Sequence, residues 1–168
     1  MKKDSRPYKK GGQSRPRPYK PREGVHLCPV VKYPDARKIL FDLLKERTRR
    51  QSISHKYMPT WEQHNKFCDR PGYRSWYIIA DGTVPVGSVY LTMRNEVGLA
   101  VFKKYRGRGY GREAFRLLKN VWSRLLFNRP SDTAKAFLAN INPQNRESIR
   151  FFEKLGFRLL QVTYVYDP

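Results

Sequence analysis

Three glycines and three arginines alternate in Arg106-Gly107-Arg108-Gly109-Tyr110-Gly111-Arg112, set between the apolar run Glu96–Phe102 and a long amphipathic stripe. Glycine inside a helix or strand costs roughly 0.5–1 kcal/mol relative to alanine, so glycines at every second position mark a break in regular structure. A strand ends before this segment and a helix begins at its far side. In such a turn, unpaired backbone N–H groups and the positive end of the helix dipole converge on one point, an anion site suited to a pyrophosphate. Arg106, Arg108 and Arg112 add charge-assisted donors, while Gly107, Gly109, Tyr110 and Gly111 supply the backbone. A Walker loop is excluded, because no Gly-Lys-Ser/Thr follows. A dinucleotide fingerprint is disfavoured, since no parallel strand-helix-strand with an acidic ribose ligand accompanies the glycines.

The flanking pattern builds a domain around that turn. VHLCPVV from Val25 reads as a first strand. Ile39, Leu40, Leu43 and Leu44 recur at helical spacing within Asp35 to Arg47. Thr60 followed by Gln63 forms a capping box for a short helix ending near Cys68. Ser75–Ala80, Val86–Met93 and Glu96–Phe102, separated by turn residues, predict an antiparallel meander. Gly109–Phe127 places Ala114, Leu117, Leu118, Val121, Trp122, Leu125 and Leu126 on one stripe, a long helix over a core. Thr133–Ile141 reads as a strand, Asn145 to Leu155 as a helix closed by Gly156, and Leu159–Tyr166 as a last strand. The fold class is α/β: a mixed, mostly antiparallel central sheet with helices on both faces.

Residues 1–24 are different material. They hold nine basic groups, two acidic ones and no Leu, Ile, Val or Phe, so they bury too little apolar surface to offset the entropy of ordering and read as a disordered basic arm. The arm carries +7 and residues 25–168, the folded domain, +14 of the total +21, so both parts favour a polyanionic partner such as nucleic acid. No run of about 18 apolar residues offers a membrane span, and the N-terminus has no apolar secretory core. A cytoplasmic protein without a membrane partner is expected. Cys28 and Cys68 form no CxxC pair, so no disulfide framework and no metal site is expected.

The loop resembles the acetyl-CoA loop of the GCN5-related N-acetyltransferase (GNAT) superfamily, Arg/Gln-x-x-Gly-x-Gly/Ala, at Arg106, Gly109 and Gly111. A second segment, from Asn142 through Asn145, Ser148 and Phe152 to Gly156-Phe157, is similar to the family's other coenzyme-side motif, an Asn before a helix ending in Glu-Lys-x-Gly-Phe. The resemblance spans Val25 to the C-terminus by element order, Val86 to Phe157 by motif, and omits the arm.

It implies an acetyl-CoA-dependent N-acetyltransferase. Two strands then splay below the loop, and backbone N–H groups of the first, here Leu99, Ala100 and Val101, bind the pantetheine arm and polarise the thioester carbonyl. Asn145 matches the position that hydrogen-bonds the pantetheine side. Glu96 is the candidate base, with His55 and His64 bordering the acceptor side. Phe152 stands where many members carry a proton-donating tyrosine, which leaves water, another tyrosine such as Tyr164, or no specific acid for that step. Only one strand follows the last helix where the family usually has two, so the sheet edge is either shortened or completed by a partner chain, as in a homodimer. The acceptor is a primary amine, on or near nucleic acid in a modified base or a nucleic-acid-bound or ribosomal protein. The alternatives are an amino-sugar nucleotide acceptor and a catalytically weak nucleic-acid-binding module on the same fold.

Overall fold

A computed structural model of the chain describes residues 21–48, 51, 57–69, 72–127 and 136–163. Among these, eight elements of regular structure follow in order: β1 (Val25–Pro29), α1 (Ala36–Lys45), α2 (Trp61–Cys68), β2 (Tyr73–Asp81), β3 (Val84–Thr92), β4 (Val97–Val101), α3 (Tyr110–Phe127) and α4 (Arg146–Lys154). Short 3-10 turns at Val30–Lys32 and Lys103–Tyr105 link β1 to α1 and β4 to the glycine segment. The strands form one antiparallel sheet in the order β1-β2-β3-β4.

The expected meander forms because each turn has the residue its backbone demands. Gly82 closes β2–β3 at φ 57° and Asn95 closes β3–β4 at φ 64°, both in the left-handed region that Gly and Asn tolerate. β1 is shorter than VHLCPVV implies. Pro29 has no N–H for the ladder, and the chain bends into the 3-10 turn after it. The capping box of α2 is complete, with Thr60 N–H donating to Gln63 Oε1 at 2.9 Å and Gln63 N–H to Thr60 Oγ1 at 3.3 Å.

Alternation along the strands sorts side chains onto two cores. Ile79, Val86, Val89, Leu91 and Val97 pack with Tyr110, Ala114, Phe115 and Leu118 of α3 and Phe152 of α4. Ile78 faces the other way, onto Ala36, Leu40 and Leu43 of α1. Helices therefore cover both faces, as the pattern predicts.

Two expected strands differ. Of Thr133–Ile141, the described part makes a single bridge, parallel, between Leu138 and Glu96. Phe157–Thr163 has no ladder partner, and Leu159, Leu160 and Val162 are exposed. Strand propensity is realised only where an edge is available to pair with it, so the expected Leu159–Tyr166 strand is absent over its described part. Tyr164 lies outside the described residues.

Candidate active site

The β4 strand is the axis of the site. On one edge it is paired with β3 over its length, Gly87 to Leu91 facing Val101 to Val97. On the other edge it is held at one point, where Val97 N–H donates to the Leu138 carbonyl at 2.7 Å and Leu138 N–H to the Asn95 carbonyl at 2.9 Å. Beyond that bridge the two chain segments part. Backbone groups alternate in direction along a strand. Because Val97 N–H points toward Leu138 and Phe102 N–H donates to Val86 of β3, the N–H groups of Leu99 and Val101 face the opening and that of Ala100 faces β3. Among the described residues, neither Leu99 nor Val101 N–H has a backbone acceptor on that side.

The glycine turn stands at the far end of the opening. Gly107 and Gly109 take φ of 72° and 87°, values that side-chain-bearing residues rarely adopt. The Gly109 carbonyl accepts the first α3 hydrogen bond, from Glu113 N–H at 3.1 Å, so α3 begins directly at the turn. The N–H groups of Gly107, Arg108, Gly109, Tyr110 and Gly111 have no backbone acceptor among the described residues. Unpaired donors at the start of a helix make an anion site.

Several candidate residues have other partners than the sequence implies. Arg106 braces the cleft: its Nε donates to the Val101 carbonyl at 3.0 Å and its Nη1 lies 3.8 Å from Glu147 in the first turn of α4. The Tyr110 side chain is buried, its hydroxyl donating to Asp81 Oδ2 at 2.7 Å, and that hydrogen bond raises the phenol pKa. Arg108 is exposed, with its guanidinium 6.0 Å from the Tyr105 ring. Arg112 is half-buried in the first turn of α3. Gly111 has an ordinary helical backbone, and a Cβ there would come within 3.1 Å of the Phe151 ring and 3.3 Å of Leu99 Cδ2. It lets α3 approach β4 and α4.

Asn145 caps α4, its Oδ1 accepting from Ser148 N–H at 3.1 Å. Phe152 is buried, edge-on to Phe151 and Phe157 with ring centroids 5.1 and 5.0 Å away. Glu96 sits where β4 and the 138–141 segment part. Its carboxylate is held from both sides, by Thr92 Oγ1 at 3.1 Å and Asn140 Nδ2 at 2.9 Å. His64 is 2 % exposed, donates from Nε2 to the Arg37 carbonyl at 2.8 Å, and is flanked by the Phe41 and Trp61 rings at 5.1 and 5.7 Å. It packs α2 on α1. His55 lies outside the described residues.

Residue-level sequence reasoning misses a tyrosine pair on the α1–α2 side of the sheet. Tyr73 and Tyr90 stack at 4.4 Å, and burial pushes both phenol pKa values up, the Glu96 charge adding to the rise at Tyr90. The Tyr90 ring lies across Gly98: a Cβ there would sit 1.9 Å from the ring. The signal for it is register, Tyr90 facing Gly98, which requires the β3–β4 turn to be placed correctly. Gly98→Ala is expected to displace the Tyr90 ring and lower stability by about 1–3 kcal/mol, as overpacking does; denaturant unfolding measures it.

A strand that leaves its neighbour below a glycine turn is one part of the family pattern, and comparison supplies the rest. Residues 24–158 match the acetyltransferase (GNAT) domain family. The chain belongs to the GNAT acetyltransferase family. Members of this family use acetyl-CoA as the acetyl donor. A peptidyl-lysine N-acetyltransferase, YjaB of Salmonella typhimurium, is 26% identical over 92 residues, 55% of each chain, so this GNAT chain spans about half of that relative's length. The GNAT fold aligns with an acetyltransferase from Thermus thermophilus at a TM-score of 0.54 and 19% identity, covering 82% of this chain and 88% of the other. It also aligns with the ribosomal-protein-S18-alanine N-acetyltransferase from Escherichia coli at 0.56 and 14%, covering 82% and 79%. Among the described residues no helix is long and apolar enough to cross a membrane, and no cluster of three or more His, Cys, Asp or Glu could hold a metal ion.

Proposed function

We propose that this chain transfers an acetyl group from acetyl-CoA to a primary amine. The observation that carries the reading is the parting of β4 from the 138–141 segment, with unpaired Leu99 and Val101 N–H groups on the opening and a donor-rich glycine turn at its end. Acetyl-CoA supplies an activated thioester. The turn residues Gly107, Arg108, Gly109, Tyr110 and Gly111, through their amides, and Arg112, through its charge, hold the phosphates; Arg106 keeps the turn's approach fixed by bracing β4 to α4. Leu99 N–H donates to the developing oxyanion, Val101 N–H holds the pantetheine chain, and Ala100 keeps β4 in the sheet. The Asn145 amide that capping leaves over hydrogen-bonds the pantetheine side, and Phe152 packs against it.

Glu96 removes the ammonium proton, directly or through water. Two hydrogen bonds aim its carboxylate, so little reorganisation is needed when the amine arrives. The thiolate takes its proton from water or Tyr164, because the Phe152 ring has none to give.

For the acceptor we favour a protein amine displayed near nucleic acid. A basic domain with a basic arm supports it, as do the activities of YjaB, a peptidyl-lysine N-acetyltransferase, and of the Escherichia coli ribosomal-protein-S18-alanine N-acetyltransferase. Thiol release from acetyl-CoA, measured with lysine peptides, N-terminal peptides, an amino-sugar nucleotide and polyamines, tests the reading. Turnover is expected with a peptide amine. No coenzyme binding and no thiol release with any amine would overturn the enzyme reading in favour of a binding module.

The arm acts by encounter. Deleting residues 2–20 removes eight basic groups and one acidic one. Retention on DNA or RNA at low salt is expected to weaken, and the slope of log affinity against log salt to flatten, because fewer counterions are released. Filter binding across a salt series measures it; equal slopes would make the arm a bystander.

A further inference from the structure

Arg22 precedes the Gly24 boundary, yet it reaches into the folded domain. Val25 opens β1 opposite Asp81 of β2, and the Gly24 carbonyl accepts from Gly82 N–H at 3.1 Å. The chain just ahead of β1 is thereby laid against the β2–β3 hairpin, beside the start of α3. From there one guanidinium makes four contacts. Nη1 donates to the Arg108 carbonyl at 2.8 Å and Nη2 to the Tyr110 hydroxyl at 3.1 Å. Nη2 also lies 3.5 Å from Asp81 Oδ2, and the guanidinium carbon is 4.2 Å from the centre of the Tyr110 ring. Tyr110 completes the circuit by donating to Asp81 at 2.7 Å.

The consequence follows from peptide geometry. In a trans peptide the carbonyl and the following N–H point in opposite directions. Drawing the Arg108 carbonyl toward Arg22 therefore turns the Gly109 N–H away from Arg22, and the fixed Tyr110 ring anchors the first residue of α3 next to it. Gly109, at φ 87°, has wide backbone freedom that nothing in its own side chain restrains. Arg22 supplies the restraint from outside.

We infer that Arg22 is a positioning residue for the coenzyme loop: it locks the Arg108–Gly109 peptide and the start of α3 in the donor-presenting arrangement before coenzyme binds. This rests on the reading of the glycine turn as the phosphate site of acetyl-CoA. Its effect is preorganisation, so the loss of Arg22 should be felt in coenzyme affinity and not in the chemical step.

Calorimetry with CoA on four full-domain proteins tests it: wild type, Arg22→Ala, Arg22→Lys, and a deletion of residues 2–20 that keeps Arg22. Arg22→Ala is expected to weaken CoA binding about 10-fold, the scale of one or two lost charge-assisted hydrogen bonds. Arg22→Lys should recover part of it with a single donor, and the deletion should stay within about twofold of wild type. With a reactive amine, KM for acetyl-CoA should rise in Arg22→Ala while kcat and the KM for amine hold. In the ligand-free protein, the Glu113 amide, which donates to the Gly109 carbonyl, should exchange faster in Arg22→Ala than in wild type. Equal CoA affinity and equal Glu113 protection in the two proteins would overturn the inference. Failure of wild type to bind CoA would instead overturn the phosphate-site reading, and the amide exchange would still decide whether Arg22 holds the turn.

Discussion

Gly109→Val is expected to lose about 100-fold or more in acetyl-CoA affinity, a change of roughly 2.8 kcal/mol, while the thermal midpoint moves little. At φ 87° a β-branched residue is strained by about 1–3 kcal/mol. The chain can relieve that strain only by leaving the conformation, and in leaving it the Gly109 and Tyr110 amides lose their common direction. Space is not the obstacle, since the nearest atom to an added Cβ is Arg22 Cδ at 3.8 Å. Gly111→Val makes the contrasting case. Its Cβ meets Phe151 at 3.1 Å and Leu99 at 3.3 Å, so its main effect should be on stability, about 1–3 kcal/mol, with weaker binding as a consequence of the shifted helix. Calorimetry and denaturant unfolding on both variants separate the two mechanisms. Unchanged affinity in Gly109→Val would remove the turn from coenzyme binding.

Glu96→Gln should lower kcat by about 10²–10³-fold, within the range that a positioned general base contributes. The amide is nearly the same size, and its oxygen can still accept from Thr92 or Asn140, so folding and coenzyme affinity should hold. The sign of the pH effect is diagnostic. Glu96 is needed to take a proton from an ammonium group, so as pH rises toward the acceptor's own pKa and free amine becomes abundant, the deficit of the variant should shrink. A deficit that stays constant across the pH range would assign Glu96 to positioning through Thr92 and Asn140 and not to proton removal.

Where local chemistry decides the structure, the sequence is a good guide. The Thr60–Gln63 capping box, the turns between the meander strands and the Gly156 terminus, at φ 92°, all stand where expected. The glycine turn does too, because Gly107 and Gly109 hold φ values that side-chain-bearing residues rarely adopt. Long-range partners are less legible. Arg106 reads as a phosphate ligand from its place in the motif, and the contacts of its Nε with the Val101 carbonyl and of its Nη1 with Glu147 are set by how β4 and α4 meet. Arg22 belongs by composition to a basic arm, and only the pairing of β1 with β2 brings it to Tyr110. Leu159 to Val162 has the composition of a strand, but pairing needs an edge, and edge availability is a property of the whole fold.

The single bridge between Glu96 and Leu138 also defines how the molecule yields. The meander is tied by continuous ladders, whereas the 136–157 region is joined to the rest by one backbone bridge, by side-chain contacts from Asn140 to Glu96 and Glu147 to Arg106, and by rings, Phe152 in the core and Phe137 and Phe157 against Phe115 of α3 at 5.7 and 5.3 Å. Local opening follows low contact density, so this region is expected to open before the meander, and the cleft runs along its border. On the proposed function, a coenzyme in this cleft would bond to both sides as a removable strand does, and at 100 times its dissociation constant it would add about 2.7 kcal/mol to the folded state.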